Sequence, residues 1–171
     1  MGIHRRNLRA RSPACERSSD WKEKSYRKVS ESLGKSRGWL TTKLHVAADA
    51  HGNPIDFEIT GGQVHDAKVA GKVLGKISTA EHIIADKDYD SETIREQVKS
   101  RGMNPIIPRK SNSKKPNPEF DAHLYKLRHF LENLFAKLKH DRSIATRFEK
   151  LARNFKATTY LACTMIWLRT N

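Results

Sequence analysis

Residues 82–86 read HIIAD, a short apolar run closed by a carboxylate. Such a run, with polar residues on both sides, suits a strand buried on both faces of a parallel sheet, with Asp86 at its C-terminal end. Immediately downstream, Ser91 opens SETIREQVKSRG, a helical segment with Ser91 as its cap, Glu92 and Arg95 charged in its first turn and Gly102 as its stop. Asn104 to Pro108 (NPIIP) follows as a short strand with prolines at its margins, which places it at a sheet edge. Upstream, Thr41 to Ala48 (TTKLHVAA) and Ile55 to Thr60 (IDFEIT) form a hairpin across the turn His51-Gly52-Asn53-Pro54. A helix is predicted from about Ala67 to Ile77 with Asp66 as its cap, and a last amphipathic helix from Lys150 to Leu168. Strands alternating with helices in this way predict an α/β layered fold. In such sheets ligands sit outside the carboxyl ends of the strands, where Asp86 stands.

The chain has 171 residues, enough for one core, and its 33 Lys and Arg against 19 Asp and Glu give a net charge of +14. The cations run from end to end, so the whole molecule presents a positive field, and a polyanion is the natural partner. Residues 1–38 are basic and polar without a sustained period of 2 or 3.6, and read as a poorly ordered N-terminal segment. The two cysteines, Cys15 and Cys163, have neither zinc-ligand nor disulfide-framework spacing. Tyr160 to Leu168 is the longest apolar-rich stretch and is too short to span a bilayer, and no secretory leader is recognisable. A cytoplasmic protein without membrane contact is expected.

Residues 125–139 read YKLRHFLENLFAKLK. On one continuous helix Tyr125, Arg128, Glu132 and Lys139 fall along one stripe, while Leu131, Leu134, Phe135 and Leu138 form an adjoining apolar face. A carboxylate flanked by cations suits a metal and phosphate site; it also suits a solvated face of an amphipathic helix. Asp86 and Glu132 are the residue types that hold Mg²⁺, a hard cation that takes oxygen ligands. Lys139 and Arg128 would then bind phosphate, and Tyr125 would orient a phosphate or stack on a base. His65 with Asp66 is explained by a helix start, and His45, on a hairpin strand, reads as a structural or surface histidine rather than a ligand. The basic cluster RKSNSKK, residues 109–115, is open to two readings, a solvated loop or a DNA contact.

These residues carry a resemblance. GKSRGWLTTKLH, GGQVHDA, IIADKDYDS, NPIIPRKSN, YKLRHFLENLFAKLK and RSIATRFEKLARNF resemble, in this order, the blocks of bacterial insertion-sequence transposases of the DDE (Asp-Asp-Glu) class, in the insertion-sequence-five group. The family pattern of Tyr, Arg, Glu and Lys is met by Tyr125, Arg128, Glu132 and Lys139, and its second acidic position by Asp86. The resemblance implies a ribonuclease-H-like mixed sheet flanked by helices over residues 39–171. It also implies Asp86 and Glu132 as catalytic and metal-binding residues, Mg²⁺ (or Mn²⁺) as cofactor, and Tyr125, Arg128 and Lys139 on DNA. The implied partners are double-stranded DNA, as terminal inverted repeats and target, and further copies of the chain in a nucleoid-associated assembly.

No apolar strand ending in Asp precedes Gly34; Asp20 lies in SSDWKEK, and Asp49 belongs to the hairpin turn. The first strand and the first catalytic Asp are therefore expected to be absent, as in a truncated copy or a downstream frame that works with an upstream-frame product. Two readings stay open: an incomplete transposase that cleaves and transfers DNA strands, or an inactive basic DNA-binding or regulatory remnant. A ribosomal-type RNA-binding module fits the charge but not the Tyr, Arg, Glu and Lys spacing.

Overall fold

Six strands form one mixed sheet in the computed structural model, which describes residues 2–9, 32–36, 39–77 and 79–170. They are β1 (Gly2–Arg9), β2 (Gly34–Ser36), β3 (Trp39–Ala48), β4 (Pro54–Gly61), β5 (His82–Ala85) and β6 (Asn104–Ile106). The order is β2-β3-β1-β5-β6, with β4 also paired to β3. β1 and β5 run parallel, with Gly2 beside Ile84 and Ile3 beside Ala85, and β5 runs parallel to β6. With a neighbour on each edge, β5 buries Ile83, Ile84 and Ala85, which is why its sequence is an unbroken apolar run. β6 ends the order, as Pro105 requires of a strand that lacks one ladder donor.

The expectation of a missing first strand is corrected by β1, which lies between β3 and β5 in the sheet. Its sequence, GIHRRNLR, has only two large apolar residues and no alternation. Pairing to β5 supplies what local propensity lacks, because strand preference depends on neighbours more than on composition. A Cβ at Gly2 would run into the Leu131 side chain, so the strand passes close to Leu131 at its glycine. Within 1–38, β1 and β2 are thus strands; residues 10–31, Cys15 and Asp20 included, and residues 37–38 lie outside the described residues.

The chain divides into two units. The first comprises Met1–Arg5, His45–Glu58 and His65–Leu134. Its α1 (Asp66–Gly75) buries Val69, Ala70, Val73 and Leu74, one stripe of a 3.6-residue period. The helix begins on Asp66 itself, with His65 at the cap position, one residue earlier than expected. α2 (Glu92–Lys99) follows Ser91 and buries Ile94, Arg95 and Val98. The β3–β4 turn is closed by Asp49, whose carboxylate accepts the amides of His51 and Asn53 at 2.9 and 2.8 Å, and by Gly52 at φ +84°.

The stretch 125–139 is two helices rather than one, α3 (Ala122–Lys126) and α4 (His129–His140). At the junction the amides of Leu127, Arg128, Phe130 and Leu131 each bond the carbonyl three residues back, which tightens the chain into a 3₁₀-like turn. Arg128 sits in that turn. Asp121 caps α3 by accepting from the His123 and Leu124 amides, which holds its carboxyl below the usual range.

The second unit comprises Arg6–Leu44, Ile59–Val64 and Phe135–Asn171. It holds α5 (Arg142–Thr146) and α6 (Ala152–Thr170). Its buried Arg147, at φ 43°, donates to the Ser32 carbonyl at 2.9 Å and to the Thr42 hydroxyl, and lies over the Phe155 ring. No helix among the described residues is long and apolar enough to cross a membrane.

Candidate functional site

The first unit brings Asp86, Tyr125, Arg128 and Glu132 together. Asp86 is the first residue past β5, and its Oδ1 accepts the Lys87 amide at 2.7 Å to start a 3₁₀ turn over Lys87–Tyr89. Glu132 stands in the first turn of α4, where the helix dipole favours a carboxylate. Arg128 spans the two acids: its Nη1 lies 3.5 Å from Asp86 Oδ2 and its Nη2 donates to Glu132 Oε1 at 2.7 Å. The same guanidinium lies 5.6 Å from the centroid of the Tyr125 ring. Burial lifts the Tyr125 phenol above its ordinary range; the Arg128 cation opposes the rise, and the charges of Asp86 and Glu132 add to it. The phenol therefore stays protonated and able to donate at neutral pH. Lys139 lies seven residues beyond Glu132 on α4, in the second unit.

Both acids remain partly open to solvent, with side-chain exposures of 22% for Asp86 and 45% for Glu132. Their oxygens are the donors a hard divalent cation takes, so the pair suits such an ion in kind. In number it falls short, because no group of three His, Cys, Asp or Glu able to hold a metal occurs among the described residues. β1 carries no acidic residue at all. One residue past the Ile3–Ala85 pair, the strand has His4.

In the loop DKDYD, Asp86 and Asp90 have different roles. Asp90, four residues after Asp86, is 5% exposed at its side chain and paired with Arg95 and Arg109 at 2.9 and 3.2 Å. Burial opposes its charged form, but the Lys110 amide and the two guanidinium groups outweigh burial and hold its carboxyl below the usual range. Tyr89, between them, is buried and its hydroxyl lies 2.9 Å from Nδ1 of the buried His45 on β3. This contact ties the turn that begins with Asp86 to the sheet. The sequence left His45 as structural or surface and showed no partner for it, and read Arg95 only as a charge of the first helical turn. No local signal marks Arg95 as buried, since its partners lie 5, 12 and 22 residues away in the chain.

The transposase DDE domain family matches residues 8–167. A Brucella ovis protein described as a transposase for insertion sequence element IS6501 is 38% identical over 134 residues, covering 76% of this chain and 100% of that protein. A Burkholderia cepacia protein described as a transposase for insertion sequence element IS402 is 29% identical over 136 residues, covering 73% of this chain and 62% of that protein.

Proposed function

The chain belongs to the transposase DDE domain family, and from that membership we propose that it binds double-stranded DNA and cleaves and transfers strands at the terminal inverted repeats of an insertion sequence. The observation that carries the site is the single guanidinium of Arg128 joining Asp86 and Glu132 at 3.5 and 2.7 Å. A strand end and a helix start, 46 residues apart in the chain, converge on one cation there. Mg²⁺ or Mn²⁺, as the family's divalent-metal dependence suggests, would be held in part by these two carboxylates, where it would activate the attacking oxygen and stabilise the leaving one.

The chain's own groups have separable parts in this reading. Asp86 and Glu132 bring negative oxygens to one point, and Arg128 keeps the two from repelling each other. Arg128 and Tyr125 also offer donors to a phosphate, the guanidinium as a planar fork and the phenol as a single O–H. Lys139 gives a further phosphate contact along α4. The protein works in this reading as an oligomer on the nucleoid, in the cytoplasm, and an upstream-frame product is a candidate partner because it would supply a third acid.

A second reading, a non-catalytic DNA-binding regulator, is favoured by one observation: β1 pairs with β5 beside Asp86 yet contains no carboxylate. Mg²⁺-dependent nicking of a labelled duplex bearing the element's terminal repeat separates the two. Nicking by the chain that disappears in Glu132→Gln supports the enzyme, with a third donor from outside the described residues. DNA binding without nicking, unchanged in Glu132→Gln, supports the regulator and refutes catalysis by this chain.

A further inference from the structure

We propose that the loop of residues 110–115 grips the phosphate backbone of double-stranded DNA and that Asp90 and Asn117 hold it in its gripping shape. This rests on the DNA-binding reading above and adds to it a surface apart from Tyr125, Arg128 and Lys139.

The loop KSNSKK holds three cations and no acid in six residues, and Lys110, Ser111, Asn112, Lys114 and Lys115 are exposed. Solvated basic loops are common, and charge alone does not set this one apart. Its anchoring does. At the entrance, the Ile107 carbonyl receives Arg95 Nη2 at 2.8 Å and Asn117 Nδ2 at 2.9 Å, so one acceptor ties the start of the loop to its end. Arg109 Nη2 reaches the Pro116 carbonyl at 3.3 Å, a second tie across the same neck. The Lys110 amide donates to Asp90 Oδ2 at 3.0 Å, while Asp90 Oδ1 takes Arg95 and Arg109. Inside the neck the tip is a tight turn, with the Ser113 amide on the Lys110 carbonyl at 2.9 Å.

The two arginines near the loop are thus turned inward onto Asp90, and its lysines outward. The ammonium groups of Lys110 and Lys114 have no ion pair or hydrogen bond among the described residues; Lys115 reaches Glu92 only at 3.4 Å, with its side chain 65% exposed. A free loop of this length would lose conformational freedom on every contact, whereas a pinned one has already lost it on folding. The hydroxyls of Ser111 and Ser113 and the amide of Asn112 are the donor types that, with lysine, contact DNA phosphates without reading bases. Asp90 lies four residues from Asp86, so at most about 14 Å of chain separates the clasp from the acid site. A duplex laid over Asp86 carries one charge per ~1.7 Å of its axis and so presents phosphates across that whole distance.

The test is fluorescence anisotropy of a labelled duplex of arbitrary sequence, titrated with the full chain at several salt concentrations. The triple variant Lys110→Ala/Lys114→Ala/Lys115→Ala should bind roughly tenfold more weakly at 100 mM salt, with the slope of log Kobs against log salt reduced by about 2 to 3. A variant that removes three exposed lysines elsewhere, Lys68→Ala/Lys72→Ala/Lys156→Ala, should change the slope by less than about 1. Asn117→Ala, which unties the neck while keeping every charge, should weaken binding a few-fold at an unaltered slope. The proposal is overturned if the loop triple variant binds within twofold of the unmodified chain, or loses no more than the other triple variant. A chain that fails to bind duplex DNA at any salt refutes the DNA-binding reading itself, an outcome distinct from normal binding that ignores the loop.

Discussion

Two carboxylate and arginine clusters stand four residues apart in the first unit and are built to opposite ends. Around Asp90 the ions are nearly sealed, with side-chain exposures of 5% for Asp90 and 8% for Arg95, and a backbone amide and carbonyl complete their hydrogen bonds. Around Asp86 one arginine serves two acids, and the exposures are 22% for Asp86, 24% for Arg128 and 45% for Glu132. Buried charges that lose a partner leave the other uncompensated, which is costly, whereas open pairs are screened and exchange readily with water or another ion. The Asp90 cluster therefore holds a loop in place, whereas the Asp86 cluster stays open to solvent.

The sharpest way to break this contrast is to remove one carboxylate from each. Asp90→Asn should lower the unfolding free energy by about 3 kcal/mol, and Asp86→Asn by less than about 1, both read from urea denaturation. Equal losses, or a larger loss at Asp86, would show that the two clusters do not differ in kind.

A smaller effect is expected from adding a carboxylate where the open cluster lacks one. His4→Asp adds an acid to β1 one residue past the Ile3–Ala85 pair. If the open cluster is an incomplete catalytic site, Mg²⁺-dependent nicking should rise at least about tenfold, equivalent to ~1.4 kcal/mol of barrier. The gain should vanish when Glu132→Gln is added. No gain, with DNA binding intact, would mean that more than an acid is missing.

The smallest effect is in the pH dependence of stability. The Asp90 carboxyl titrates below its ordinary value in the folded chain. Its contribution is therefore complete above the unfolded carboxylate range, at about pH 5 and higher, and is lost as pH falls through and below about 4. Thermal melting should show the unmodified chain losing stability more steeply than Asp90→Asn between about pH 5 and 3, so that the two curves converge on the acid side. Parallel curves would remove Asp90 from the charged clasp.

Much of this was legible in the residues. HIIAD dictated a buried strand with Asp86 at its end, because only burial on both faces suits an unbroken apolar run. NPIIP dictated an edge, because Pro105 cannot donate to a ladder. The spacing of Tyr125, Arg128, Glu132 and Lys139 pointed to the family before any coordinate did. The break between α3 and α4 was not legible, since no Pro or Gly marks it; it arises from three-residue hydrogen bonding at Leu127 to Leu131.

β1 is the plainest case of what sequence leaves open. GIHRRNLR has no strand period, and its place is set by hydrogen bonds to β5, 82 residues away in register. The same holds for the three aspartates of DKDYD, identical in type and alike in local setting. Sequence by itself determined the layered fold, the family and the residue types at the site, because periodicity and spacing are local properties of the chain. Which aspartate faces an open arginine and which is sealed between two was decided only by tertiary structure, because burial and partner identity depend on residues that the chain brings together from far apart.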